Sequence, residues 1–505
     1  MSAPVYRWRH SAGELATRGE VIVAVGTAED VTGALQQQGL RADRVIDLPG
    51  AAIIPGLVDA HIHTAQYARS LTRVDLRGAA DLPEVLSRLL RHAEGLGPGE
   101  PLRGAGWEWQ KWEPAVLPTR ADLDAILPDR PVLLESQDLH TTWVNSALLR
   151  RVGMSDDPET PGILREAEGW EAARILGPED RLLAEAMSGA IERLLSMGVT
   201  GVHDMDDESA RAAFLELRRA GRLGLRVVQA TRHDALDVAI VEGRRTGAGD
   251  PWFREGHIKV FTDGALGSLT CHVCAPFNGT DHTGLSSIDD ADLAEVIETG
   301  QRHGLGVAAH AIGDRANQRL LDAYAAAAER RPAGLRHRVE HAQHLRPDDV
   351  ARFAALEVIA SVQPTHAISD MDLVDELFGD RPLASYPFAT MWRLGTLLAF
   401  GSDAPVETPD PFLTLDAAVT RRRADGSPPG GWQPEEKLDP KVALWCHTVG
   451  PHRVAGQDDV LGRLAPGMLA DFVVLDREFK DTAASRLSDI EVEMTVVGGE
   501  IRYSR

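Results

Sequence analysis

The 505-residue sequence predicts an α/β fold. The expected architecture is a (β/α)8 TIM-like barrel with a small β-sandwich formed from both chain ends and an inserted lobe. Three observations carry this reading. Eight apolar β-rich runs alternate with helical stretches through the middle of the chain. Short β-branched runs broken by Gly and Asp occupy both ends. More than 100 residues separate the first and second barrel runs, far more than a βα connection needs.

The elements follow in order. Residues 20–54 read as short strands, EVIVAVG and, after a turn, RVIDLPGAAIIPG. Residues 469–504 read the same way, with LADFVVLD and VEMTVVGGEIRY. These ends, 1–54 with 455–505, are expected to pair into the sandwich, and 55–454 to form the barrel. The barrel runs are IIPGLVDAHIH, GVTGVHDMD, LRVVQATR, HIKVFTDG, LGVAAHAIGD, HRVEHAQ, EVIASVQP and TLLAFGSD, with helices such as 289–303 and 316–330 between them. The lobe is expected at about residues 66–185. It holds the Trp-rich GAGWEWQKWEP and the segment HTTWVNS.

Composition narrows the function. Asp and Glu number 76 against 53 Lys and Arg, for a net charge of -23. That balance opposes a nucleic-acid partner and an anionic membrane, since both need a clustered positive surface. The first 20 residues lack the apolar stretch of a signal peptide, and no run of about 18 apolar residues occurs. A cytoplasmic protein acting on a small-molecule substrate fits these facts; a homo-oligomer is left open. Three cysteines cannot build a disulfide framework. Cys271 and Cys274 form a lone C-x-x-C, which reads as two small buried thiols.

The chemistry lies at the C-terminal ends of the apolar runs, where this fold places its active site. His61 and His63 end the first run, two residues apart, so on a strand they face the same side. Lys259 and Asp263 lie in the fourth run, and His310, His341 and Asp403 end the fifth, sixth and eighth. Each alone has an ordinary explanation: a core histidine, a solvated lysine, an Asp in a turn. Together, four His, one Lys and one Asp on five runs predict a metal site.

These residues sit in motifs that resemble the amidohydrolase superfamily, in particular the type-3 branch that includes N-substituted formamide deformylases. The motifs are PGLVDAHIHT (55–64), HTTWVNS (140–146), KVFTDGALGS (259–268), HAIGDRAN (310–317), RVEHAQ (338–343), GSDAPVETPDPF (401–412) and LGRLAPGMLADFVVLD (461–476). The resemblance covers nearly the whole chain. It implies two divalent metal ions, with zinc favoured and manganese, iron or cobalt also suited. His61 and His63 would bind the more buried ion. Lys259, carboxylated by carbon dioxide, would bridge both through its carbamate. His310 and His341 would hold the second, and Asp403 would ligate the first and shuttle protons. Neither Thr262 nor the C-x-x-C gains support from the family.

The implied reaction is attack of a metal-bridging hydroxide on an amide-like or N-substituted formamide-like C–N bond. His140 is a candidate catalytic donor to the oxyanion. Trp107 and Asp263 are candidate substrate contacts, and the other tryptophans could line a pocket or pack a core. A mononuclear deaminase is the alternative on the same barrel. Such enzymes usually carry Glu three residues after the third metal His, where this chain has Gly313. Ester, lactone or carbamate hydrolysis stays open. A non-catalytic binding protein is disfavoured by the complete set of six residues.

Overall fold

Eight parallel strands form the predicted barrel in a computed structural model of the chain. They are Leu57–Ile62, Val199–Asp204, Arg226–Arg232, Phe253–Phe261, Val307–Ala311, Arg338–His341, Ile359–Val362 and Leu398–Phe400, each hydrogen-bonded to the next in sequence order. The structure describes residues 2–8, 13–48, 52–136, 141–155, 157, 161–165, 167–176, 183–479, 482 and 484–505. Two central strands, Leu57–Ile62 and Val199–Asp204, are buried at every position. That is why they read as unbroken apolar runs rather than as alternating ones. Helices Asp290–Arg302 and Asp314–Ala327 flank the fifth strand, close to their expected places.

The first and eighth strands close the barrel without a regular ladder. Asp403 N donates to His61 O at 2.7 Å, and His63 N to Ala404 O at 3.0 Å. The Asp59 carboxylate accepts from His61 N, Ser402 N and Ser402 Oγ at 3.1, 3.0 and 2.5 Å. Gly401 permits this approach, because a Cβ there would stand 2.4 Å from His61 N.

The chain ends form two four-stranded sheets. One contains Val21–Thr27, Gly13–Arg18, Ser2–Trp8 and Arg41–Asp47 in that order. The other contains Glu500–Ser504, Val492–Val497, Phe472–Leu475 and Ala52–Pro55. Tyr6, Leu15 and Ile22 of the first share a core with Phe472, Val474 and Val496 of the second. Two local expectations change. A helix, Ala28–Gln37, stands where a turn was expected, started by the Thr27–Asp30 capping box. The run IIPGLVDAHIH divides into Ala52–Pro55 in the end sheet and Leu57–Ile62 in the barrel.

The chain divides into two compact units, residues 1–64 with 191–505 and residues 65–190. The second unit has a five-stranded sheet, ordered Ile163–Arg165, Thr141–Val144, Val132–Ser136, Leu102–Trp107 and Val74–Asp75. Val85, Leu89, Trp107, Trp112 and Trp143 fill its core. Among the described residues, no helix is long and apolar enough to cross a membrane.

A buried ion pair ties the barrel to the C-terminal sheet. Arg226 Nε and Nη2 donate to Asp471 at 2.6 and 2.8 Å, and Gly498 N donates to the same carboxylate at 2.8 Å. Removing one partner leaves the other charge buried and unpaired. Asp471→Ala is therefore expected to lose about 3–5 kcal/mol of stability in denaturant unfolding. A loss below about 1 kcal/mol would show that the pair does not tie these elements together.

Candidate metal centre

The C-terminal ends of the barrel strands gather all six residues singled out as metal ligands. His61 Nε2 and His63 Nε2 lie 3.4 and 3.5 Å from Asp403 Oδ1. Lys259 Nζ lies 3.5 Å from His61 Nε2. The His341 ring is centred 4.8 Å from that of His61 and 4.5 Å from that of His310.

Each imidazole has one ring nitrogen held by a neighbouring oxygen. His61 Nδ1 meets Glu340 Oε2 at 2.6 Å, and His63 Nδ1 meets Asp206 Oδ1 at 3.0 Å. His341 Nδ1 meets Gln363 Oε1 at 2.9 Å, and His310 Nε2 meets Gly264 O at 3.0 Å. With one nitrogen donating to an oxygen, the other keeps its lone pair for a cation. Glu340 is held in turn by Arg338, which also reaches Ala60 O, Ser361 Oγ and His203 Nδ1 at 2.8–3.0 Å.

Burial sets the charge states. Burial, followed by the Lys259 charge, holds His61 well below the usual imidazole range. The same two causes push His310 down to about 3. Burial and the neighbouring His310 and His61 depress His341. Burial pushes Lys259 down to about 8, against the pull of Glu340 and Asp403. On His63 burial is opposed by the Asp206 hydrogen bond and the Asp403 charge, which raise it.

The backbone is strained at the ligands. His341, Ala342 and Asp403 have φ of 76°, 45° and 59°. Such conformations cost about 1–3 kcal/mol each and persist where the surroundings over-determine them. Here the bond from Asp403 N to His61 O and that from Ala342 N to Ala311 O, at 2.7 and 3.1 Å, do so.

Three expectations change. Trp107, a candidate substrate contact, is 1% exposed inside the core of the 65–190 unit. Its indole N–H is spent on Leu134 O at 2.9 Å, and it packs on Trp112 and Trp143. Asp263, the other candidate contact, is consumed by backbone: its oxygens accept from His272, Ile312 and Gly313 N at 2.9, 3.1 and 2.8 Å. It shapes the turn after His310, and burial pushes it up to about 7. In the C-x-x-C, Cys271 is buried but Cys274 is exposed. The candidate His140 lies outside the described residues.

The sequence reading overlooked His366. It sits in the short helix Pro364–Ser369, directly after the seventh strand. Its Nε2 lies 3.8 Å from Asp403 Oδ2, on the side of the carboxylate away from His61 and His63. The signal was present as an ionisable residue closing the run IASVQPTH, displaced beyond the strand by Pro364.

The donor set fits a divalent metal. His61, His63 and Asp403 can converge on one ion, and His341, His366 and Asp403 form a second such group. Buried imidazoles with one pinned nitrogen, beside a carboxylate, suit zinc and its neighbours.

Comparison with known proteins agrees. The model of the Amidohydrolase family matches residues 44–503. The chain is 30% identical to Protein LONG AFTER FAR-RED 3 of Arabidopsis thaliana, over 97% of this chain and 88% of that protein. It is 28% identical to the N-substituted formamide deformylase of Arthrobacter pascens, over 96% and 94%. The crystal structure of an uncharacterized metal-dependent hydrolase from Pyrococcus horikoshii OT3 superposes with a TM-score of 0.81 at 29% identity, covering 96% of this chain and 99% of that one. With these barrel-end residues and this match across most of its length, the chain belongs to the amidohydrolase family, in its type-3 branch.

Proposed function

We propose that the protein is a metal-dependent hydrolase that cleaves a non-peptide C–N bond, of the amide or N-substituted formamide kind, in a small molecule. The observation that carries this reading is the convergence of His61 Nε2 and His63 Nε2 on one oxygen of Asp403. His61, His63 and Asp403 would hold one divalent ion, and His310 and His341 a second. Lys259, as its carbamate with carbon dioxide, would serve both; an ammonium cannot ligate a cation. Bound metal supplies a water of lowered pKa and a Lewis acid for the substrate carbonyl.

The chain's own residues supply the rest. Glu340, Asp206 and Gln363 keep the imidazoles oriented. Asp403 takes the proton as the water oxygen adds to the carbonyl carbon, and gives it to the nitrogen as the C–N bond breaks. Support for amide hydrolysis over ring deamination comes from Gly313. A Cβ there would stand 2.1 Å from His272 O, so no Glu fits at the position deaminases use. The acidic composition supports a small-molecule substrate and a cytoplasmic location over nucleic acid or membrane.

Chelator dialysis is expected to abolish hydrolysis of a panel of formamides, acetamides and N-acyl amino acids, and zinc, manganese or cobalt to restore it. Asp403→Asn is expected to lower kcat by about 10²–10⁴-fold on the best substrate. Undiminished turnover in that variant would remove the proton-transfer assignment. Asp206→Ala removes the oxygen that holds His63 Nδ1 and is expected to weaken metal affinity by about 10–100-fold, read by competition with a chromophoric chelator. An unchanged affinity would show that the Asp206 contact does not orient a ligand.

A further inference from the structure

His366 is placed like a working residue, and the roles above do not use it. It is 7% exposed, and its Nε2 has no hydrogen-bond partner among the described residues. That nitrogen points at the cluster, 3.8 Å from Asp403 Oδ2. The separation is too long for a hydrogen bond. A buried polar group left without a partner costs about 1–3 kcal/mol, so its retention calls for a reason.

The ring's other nitrogen shows what His366 offers. Gln343 Nε2 lies 3.2 Å from His366 Nδ1 and donates to it. Nδ1 is then the acceptor, and the ring proton sits on Nε2. The Gln343 main chain is itself held, its backbone carbonyl accepting from Tyr386 N at 2.6 Å. The backbone of the short helix adds to this: His366 N donates to Gln363 O at 3.1 Å, and Asp370 N to His366 O at 2.9 Å. The ring also stacks on His341, with centroids 6.0 Å apart and planes 15° from parallel. The result is an N–H donor fixed before any substrate arrives. Preorganised donors of this kind stabilise charge that develops during reaction.

We infer that His366 is a catalytic residue, whose Nε2–H donates a hydrogen bond to the oxyanion formed when water adds to the substrate carbonyl. This rests on the hydrolase reading above. The carbonyl π pair moves onto oxygen as the new C–O bond forms, and His366 Nε2–H meets the resulting negative charge. When the carbonyl re-forms and the C–N bond breaks, the bond to His366 weakens. The imidazole keeps its proton throughout, so proton transfer stays with Asp403. The rival role, a metal ligand beside His341 and Asp403, needs the lone pair on Nε2 and the Gln343 amide turned so that its oxygen faces Nδ1.

The test compares wild type, His366→Ala and His366→Gln in the metal-loaded full chain. Three quantities are read: metal per chain by elemental analysis, kcat and KM on the best amide of the panel, and calorimetric affinity for methylphosphonate, a tetrahedral anion. His366→Ala is expected to keep the wild-type metal content, to lose about 10²–10³-fold in kcat, and to bind methylphosphonate at least about tenfold more weakly. His366→Gln, which retains an N–H donor, is expected to recover part of both losses. Circular dichroism and the thermal midpoint show whether each variant is folded. Should Ala prevent folding, the same readouts on His366→Gln and on Gln343→Leu, which frees the ring, decide the question. A fall in metal content would make His366 a ligand and overturn the inference. So would kcat and methylphosphonate affinity within twofold of wild type. If wild type hydrolyses nothing on the panel, the hydrolase reading fails, while methylphosphonate affinity and metal content still decide the role of His366.

Discussion

The site depends on the seam between the first and eighth barrel strands. Seven neighbouring strand pairs are joined by parallel ladders, but this join is made by a few bonds at one end. Those bonds involve the ligands themselves: Asp403 N to His61 O and His63 N to Ala404 O. The bonds that close the barrel thus also set His61, His63 and Asp403 beside one another. Asp59 reinforces it from below, with one carboxylate shared between His61 N and both polar groups of Ser402. Burial pushes Asp59 up to about 7, a cost that its three hydrogen bonds reduce without cancelling. Asp403 accepts a left-handed backbone because the seam fixes it from both sides.

From that seam the polar interior spreads through the barrel in layers. Glu340 stands between His61 and Arg338. Arg338 then links Ala60, Ser361 and His203, so one guanidinium touches four strands of the barrel. Such a buried network is stable only when its members are mutually satisfied. The second inner carboxylate, Asp206, does for His63 what Glu340 does for His61. Its neighbour Asp204 accepts from Thr64 N and from the Gln229 amide, fixing the chain just beyond the ligand pair.

The barrel was legible because its strands are short and buried on both faces. That makes each a compact apolar run with an ionisable residue at its end, as at His310 and His341. The first sheet of the sandwich was half legible. Ser2–Trp8 and Gly13–Arg18 carry Pro, Arg and Glu within them and do not stand out as β-branched runs. Helix Ala28–Gln37 is short, and its apolar side rests on Val31 and Leu35 alone, too weak a periodicity to displace a turn. Asp263 misled because an acid in a site motif looks like a ligand contact, and only coordinates show its oxygens filled by three backbone N–H groups. Glu340 and His366 illustrate the remaining limit. Glu340 was visible within RVEHAQ, but its role depends on which face of a four-residue strand meets His61. His366 lies past its strand, where periodicity no longer says which way a side chain points.

The electrostatics of the cluster favour a cation for a reason that individual ligands do not reveal. Desolvation keeps His61, His310 and His341 uncharged, so they contribute lone pairs and no repulsion. Arg338 is close, but its charge is matched by Glu340 at 2.7 Å. A further positive group stands beside the ligands: Lys259, 3.5 Å from His61 Nε2, buried with it and drawn by Glu340 and Asp403. An ammonium there opposes any metal ion held by His61. The proposed carbamate would replace that cation with an anion at the same point. The repulsive neighbour would become an attractive one beside His61, His310 and His341, which desolvation already keeps neutral, and beside rings already fixed by Glu340, Asp206 and Gln363.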